Sequence, residues 1–328
     1  MEITELFADD EVGCAEAVAV DSACWKLDCP ELVQHTPRSF ANQLRYGWDL
    51  VPPRAFLARE DGTPVGLLMV HTPQYDNTDQ TWLDVKVHPD HRGRGVGSAL
   101  ITYGENLSRE LGRTTVGFDQ IDLPKADAFA RRHGYEQKAV EVNRRQELTG
   151  LDWDLVQRLY DESAAAASGY ELVQLTGSLP DELLDGMVAV TESINDAPTD
   201  DLEIEDDVYS PERLRAYEEA QAKSDRTLYR VIARAKDTGE LAGHTVVAVE
   251  RERPHIAEQH DTAVSRDHRG HRLGALLKSA MLLRLRAEEP ALSQIDTWNA
   301  ESNDHMIGIN EQLGYRIVAR FLIYQKTI

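Results

Sequence analysis

The 328-residue chain has three cysteines, Cys14, Cys24 and Cys29, an odd number without the paired spacing of a structural metal site. A disulfide framework is therefore excluded as the main source of stability, and free thiols in a reducing cytoplasm are expected. Aromatic residues make up only 7% of the chain, and 35 basic residues face 57 acidic ones, leaving a formal charge of −22. A field of that sign repels phosphate backbones and anionic headgroups, so neither nucleic acid nor a membrane surface is expected as a partner. A small cationic acceptor such as an amine would be attracted. No apolar run approaches the roughly 18 residues needed to cross a bilayer. Met1-Glu2-Ile3-Thr4-Glu5 lacks the basic-then-apolar order of a signal peptide. With 41% hydrophobic and 28% charged residues, what remains is an ordinary globular composition at a length suited to about two domains.

The chain contains an internal repeat. His91-Arg92-Gly93-Arg94-Gly95-Val96-Gly97-Ser98-Ala99-Leu100 returns as His268-Arg269-Gly270-His271-Arg272-Leu273-Gly274-Ala275-Leu276-Leu277, with Arg92 and Arg269 177 positions apart. Gly66 and Gly243, and Asp84 and Asp261, keep that offset, and Gly134-Tyr135 returns as Gly314-Tyr315 after a drift of three residues. An ordered set at so long a period means two copies of one domain rather than a solenoid. The copies are expected at residues 1–149 and 169–328, joined by a helical linker at 150–168, as a monomer or a homodimer.

Each copy reads in the same order. A first strand (Met1–Phe7; Tyr170–Leu175) precedes a helical stretch. Turn signals at Asp61-Gly62 and Asp237-Thr238-Gly239 then separate β-branched runs. A third strand (Val65–His71; His244–Glu250) and a fourth (Trp82–Val87; Gln259–Val264) lead to the glycine-rich turn. A helix follows, with Val96, Leu100, Tyr103, Leu107 and Leu111 at helical spacing. A fifth strand (Thr114–Asp119; Ile295–Asn299), a short helix and a closing strand pair complete the copy. Hairpins among the early strands make this a mixed α/β domain and not a doubly wound one.

A strand, then Arg92-x-x-Gly95-x-Gly97, then a helix, is an arrangement that cradles phosphate. Glycines admit the backbone to a pyrophosphate, and a helix start offers unpaired N–H groups. The dinucleotide fingerprint fits poorly, because its first glycine is absent and the turn follows the fourth strand. The Walker pattern fails because no lysine precedes Ser98.

Val85-Lys86-Val87-His88-Pro89-Asp90-His91-Arg92-Gly93-Arg94-Gly95-Val96-Gly97 resembles the acyl-coenzyme A motif of the GNAT N-acetyltransferase superfamily, here as two tandem domains in a mycothiol synthase-like layout. The resemblance implies two mixed, mostly antiparallel sheets flanked by helices, each with its fourth and fifth strands splayed around acetyl-coenzyme A as co-substrate. It implies direct transfer to an amine, without a metal. The implied cofactor contacts are Val85, Val87, Arg92, Gly93, Arg94, Gly95, Val96, Gly97 and Ser98 in the first copy. In the second they are Thr262, Val264, Arg269, Gly270, His271, Arg272, Gly274, Ala275 and Asn303.

The copies are unequal. The first has the complete turn but few chemical groups: Asp84 is its one obvious acid, and Ala130 follows Phe129 where the family often carries a tyrosine acid. The second has Arg272 in place of the first motif glycine, but Glu258, His260 and Asp261 lie on its fourth strand as candidate bases. Asn310 occupies the tyrosine place. The second copy is therefore read as catalytic and the first as cofactor-binding or structural. Trp298 and Tyr315 are read as core. The acidic run Asp200–Asp207 is either a polyamine-binding loop or a solvated one. Two other readings remain open: a coenzyme A-binding module without turnover, and a transferase with another acyl donor or acceptor.

Overall fold

A computed structural model describes residues 1–328, apart from the side chains of residues 304–306. Two compact units share the chain. The first comprises Met1–Glu141, Thr199–Asp206 and Val318–Ile328, and the second Val142–Pro198 and Asp207–Ile317. The chain begins β1 (Glu2–Leu6), α1 (Glu11–Asp28), α2 (Pro37–Tyr46), β2 (Arg54–Glu60), β3 (Thr63–His71) and β4 (Gln80–Val87). It continues α3 (Val96–Glu110), β5 (Thr115–Ile121), α4 (Pro124–Arg132), β6 (Glu136–Glu147), α5 (Trp153–Ala166) and β7 (Tyr170–Thr176). Then come α6 (Leu184–Glu192), α7 (Pro211–Lys223), β8 (Arg226–Ala235), β9 (Leu241–Glu250) and β10 (Ile256–Val264). The last elements are α8 (Leu273–Glu288), β11 (Gln294–Ala300), α9 (Asp304–Gln312) and β12 (Tyr315–Thr327).

In the first unit the strands lie in the order β1-β2-β3-β4-β5-β12. All pairs are antiparallel except β4 with β5. The turn between β2 and β3 has Asp61 and Gly62 both left-handed, at φ 48° and 81°, the geometry that suits a twisted two-residue hairpin. The second unit repeats the pattern as β7-β8-β9-β10-β11-β6, with β10 and β11 the parallel pair.

The strands that complete the sheets differ from the sequence reading, which closes each copy with its own. The free edge of β5 is taken by the last strand of the chain, in register from Phe321–Ile121 to Thr327–Thr115. Side chains explain the fit. Tyr324 is fully buried, stacks on Phe118 at 5.6 Å and donates to Asp127 at 2.8 Å. Lys326 reaches Glu105 at 2.8 Å.

Helix α3 buries Val96, Leu100 and Leu107 against β2–β5, as its spacing requires, but Leu111 caps the helix and is exposed. The alanine-rich segment is a packed helix: Val156 and Leu159 of α5 enter the core formed by α8, β8 and β9. No helix among the described residues is long and apolar enough to cross a membrane.

Candidate active site

In both units the parallel pair parts halfway along. β4 and β5 stay paired only from Gln80–Thr115 to Leu83–Phe118, and β10 and β11 only from Ile256–Gln294 to Gln259–Thr297. The leading strand of each pair continues, still bonded along its other edge to β3 or β9. Its backbone N–H and C=O groups facing the gap need partners, and an extended amide chain laid in the gap can supply them as an added strand. Val85 and Val87, and Thr262 and Val264, lie on these gap-facing segments.

Each strand leads through the glycine-rich turn into a helix with no side-chain cap. The first N–H groups of α3 and α8 therefore have neither an intrahelical nor a capping partner, and the helix dipole gives them partial positive charge. Gly95 caps α3 at φ 91° and Arg272 caps α8 at φ 58°, both left-handed. Arg272 does not abolish the turn. A Cβ at Gly95 would meet nothing within 4 Å, so the arginine costs conformational energy, on the order of 1–2 kcal/mol, and no room. The next glycine is needed for closeness: a Cβ at Gly97 would meet the Phe129 ring at 3.2 Å, and at Gly274 the Ile309 side chain at 3.0 Å.

The motif arginines are engaged by carboxylates of their own unit. Arg92 makes a bidentate pair with Asp28 at 2.9 and 2.5 Å, and its Nε donates to the Val87 carbonyl at 3.1 Å. Arg269 repeats this with Asp196 at 2.5 Å and Val264 O at 3.3 Å, and Arg266 joins the same carboxylate. These guanidinium groups brace the turn, leaving the backbone N–H groups to receive an anion. Arg94 and His271 are exposed at the turns, and Ser98 bonds His133 at 3.0 Å.

In the second unit the gap opens into a cleft of 640 Å³, within the range of ligand sites. It is lined by Thr262, Ala263 and Val264 of β10, by most of the turn from His268 to Ala275, and by Asp196, Pro198 and Asn303. Asn303 is thus at the cleft. Asn310 is not among the lining residues: it is 2% exposed, and its Oδ1 has no hydrogen-bond partner among the described residues.

The register of β10 against β9 slips between Gln259 and Thr262, a bulge at His260-Asp261. Bulges re-aim backbone groups beside active sites. Gln259 holds this one, its amide donating to Thr245 Oγ1 at 2.8 Å, Val246 O at 2.8 Å and Asp261 O at 3.1 Å. On the opposite face the His260 ring is buried, with Nδ1 2.6 Å from the Tyr217 hydroxyl. That burial corrects His260 as a direct base. Glu258 is half-exposed, its carboxylate 3.7 Å from His260 Nε2. Asp261 is held above the usual carboxylate range by burial, against the pull of His260 and Arg230.

The first unit has no such slip: β3 and β4 pair without interruption from Gly66–Val87 to His71–Trp82. Where the second unit has Ala263, it has Lys86. The Lys86 ammonium lies 2.8 Å from Asp84 and 4.1 Å from the centre of the Trp25 ring. Burial opposes its charge, but Asp84, Asp119 and Asp21 raise its pKa above the ordinary lysine value. Burial opposes ionisation of Asp84 as well, yet Lys86 draws its pKa below the ordinary value. The one obvious acid of this copy is therefore committed to a lysine.

Sequence reasoning missed Gln259, Tyr217, Asp28 and Asp196, because nothing local marks a side chain whose partner is 13 to 73 positions away. The acidic run is also corrected. The Glu203 carbonyl accepts from Gln80 at 2.6 Å, its carboxylate pairs with Lys138 at 3.0 Å, and Glu205 accepts from the Asn77 N–H at 3.1 Å. These acids serve the packing of the first unit. Trp298 is not core: it is 39% exposed, whereas Tyr315 is buried. Among the described residues no group of three or more histidine, cysteine or acidic side chains is placed to hold a metal ion.

The chain is similar in sequence and fold to known proteins. The chain is 34% identical over 97 residues to a mycothiol acetyltransferase of Rothia mucilaginosa and 38% identical over 77 residues to one of Geodermatophilus obscurus. These matches cover 26% and 24% of each pair of chains, so the likeness spans about a quarter of these relatives. A tandem GNAT protein from the clavulanic acid biosynthesis pathway superposes over 99% of this chain and 98% of its own, with TM-score 0.82 and 26% identity. A GCN5-related N-acetyltransferase from Sphaerobacter thermophilus shares the fold at TM-score 0.71 and 17% identity, over 99% and 95% of the two chains. The acetyltransferase (GNAT) family model matches residues 10–135 and again 191–315. The chain therefore belongs to the GNAT acetyltransferase family, as two tandem copies.

Proposed function

We propose that the protein is an acetyl-coenzyme A-dependent N-acetyltransferase for a small amine, with the second unit catalytic and the first cofactor-binding or structural. One observation carries this reading: in the second unit the strand segment Thr262–Val264 beyond the last pair Gln259–Thr297 and the uncapped start of α8 line one cleft. The N–H groups of Leu273, Gly274 and Ala275 suit a pyrophosphate, and the gap-facing edge of Thr262–Val264 suits the amide-bearing arm behind it.

Acetyl-coenzyme A, when bound, supplies the acetyl group, which joins the amine nitrogen as its bond to sulfur breaks. The chain provides the setting. A backbone N–H of the bulge is placed to stabilise negative charge on the carbonyl oxygen. Glu258, half-exposed on the same strand, takes the proton an ammonium must lose before its nitrogen can attack. His260 acts through position, joining the bulge to Tyr217. With Asn310 in the tyrosine place, the proton for the departing thiolate comes from solvent.

The test is thiol release from acetyl-coenzyme A with a panel of amines, on Asn303→Ala, Glu258→Gln and Arg92→Glu. Loss in the first two with Arg92→Glu active supports the assignment. Full activity in the first two with loss in Arg92→Glu reverses it.

A further inference from the structure

The acceptor itself has a candidate platform. In β10 and β11, Ala257 and Ile295 share the core with α8. Their neighbours Glu258 and Asp296, directly paired across the strands, must face the other way. Alternation puts Trp298 on that same face, one residue past the last pair, Gln259–Thr297, where the strands have parted. This is the face on which His260 meets Tyr217 and on which Glu258 is half-exposed. Trp298 is 39% exposed there. The corresponding position of the first unit, one past Leu83–Phe118, is Asp119. An exposed indole is costly to leave in water, and at the mouth of a gap beside carboxylates it has a use.

We propose that Trp298 is a specificity-determining residue and that the acceptor is an amine carried on a ring. The apolar face of the ring stacks on the indole, and its ammonium is directed to Glu258. The indole's π face attracts both the C–H groups of a ring and the adjoining cationic nitrogen. A linear amine of the same charge meets the carboxylate but gains little from the indole. This inference rests on the proposed transferase reading and adds the class of acceptor.

The test uses benzylamine and glucosamine as ring amines, and putrescine and glycine as linear ones, with thiol release as the readout. Ring amines should show kcat/KM about tenfold or more above linear ones. Trp298→Ala should raise their KM about tenfold, leave the KM for acetyl-coenzyme A and for linear amines within about twofold, and be rescued by Trp298→Phe. Equal KM for ring amines in wild type and Trp298→Ala, or preference for linear amines, overturns the proposal. If no amine of the panel is turned over, quenching of tryptophan fluorescence decides. A ring amine that quenches the wild type but not Trp298→Phe supports the platform, and no difference between the two overturns it. Failure of the underlying reading looks different: no calorimetric binding of acetyl-coenzyme A to any form of the protein.

Discussion

The two units present the same turn, the same uncapped helix and the same parting strands, but the walls of their gaps differ. In the second unit the leading strand is bulged, and Thr262, Ala263 and Val264 line its cleft. In the first the strand runs without a slip, and an ammonium pinned between Asp84 and Trp25 takes the place equivalent to Ala263. The edge of the gap bears an exposed Trp298 in one and Asp119 in the other. The turn and the helix start are thus kept by backbone conformation, which tolerates Arg272 for Gly95, while the side chains of the fourth strand have diverged.

The sharpest way to break this comparison is to exchange the wall residues. Ala263→Lys should lower acetyl-coenzyme A-dependent turnover about 100-fold or more, because a charged side chain then enters the cleft and misplaces the reacting groups. Lys86→Ala should leave turnover within about twofold. Steady-state thiol release checks both. If the two effects come out reversed, the first gap is the working one.

The bracing arginines give the next effect. Arg269→Ala removes the links to Asp196 and Val264 O and should raise the KM for acetyl-coenzyme A about tenfold. Arg92→Ala, which frees Asp28, should leave that KM nearly unchanged. A KM that rises equally in both would mean that the two turns work together. The bulge is tested by Gln259→Ala. Loss of its three amide bonds should lower kcat about 10- to 100-fold, as when an oxyanion donor drifts, with the KM for acetyl-coenzyme A within about twofold. A fall in KM-limited binding with unchanged kcat would show that Gln259 supports the cleft and not the bulge.

Much of this was legible in the sequence, and the remainder was hidden for a physical reason. Strand alternation, the Asp61-Gly62 turn and the glycine-rich motif act over neighbouring residues, so their spacing reveals them. The repeat then gives the second unit from the first. The exchange of closing strands was not legible, because β12 is chosen by Tyr324 and Lys326 finding Phe118, Asp127 and Glu105, contacts 197 to 221 positions distant in the case of the polar ones. The partners of Arg92 and Arg269 were hidden for a related reason. A basic side chain in a phosphate motif suggests a phosphate, and only the fold brings Asp28 or Asp196 to it. Trp298 was taken for core because an aromatic at the end of a strand is usually buried, and only the parting of β10 from β11 leaves it open.

The smallest effect on activity, and a distinct one on stability, belongs to Lys278. It lies on α8 where the first unit has the buried Ile101, is 2% exposed, and its Nζ has no hydrogen-bond partner among the described residues. The Tyr315 ring, 4.8 Å away, faces the nitrogen favourably. Burial pushes its pKa down to about 7, from the ordinary 10.5. Between those values the unfolded chain holds a proton that the folded chain does not, so stability should rise as pH climbs from about 7 to about 10.5 and lie flat below. Lys278→Met removes this dependence and fits the same apolar surroundings. Near pH 7 the variant should melt higher by about 5 °C or more, a gain on the order of a few kcal/mol, with the difference from wild type shrinking toward pH 10. Melting curves at several pH values decide it. A variant that melts lower at pH 7, or a difference that grows with pH, would mean that the ammonium is held by more than the tyrosine ring. The second unit would then tolerate in its core a charge that the first replaces with isoleucine.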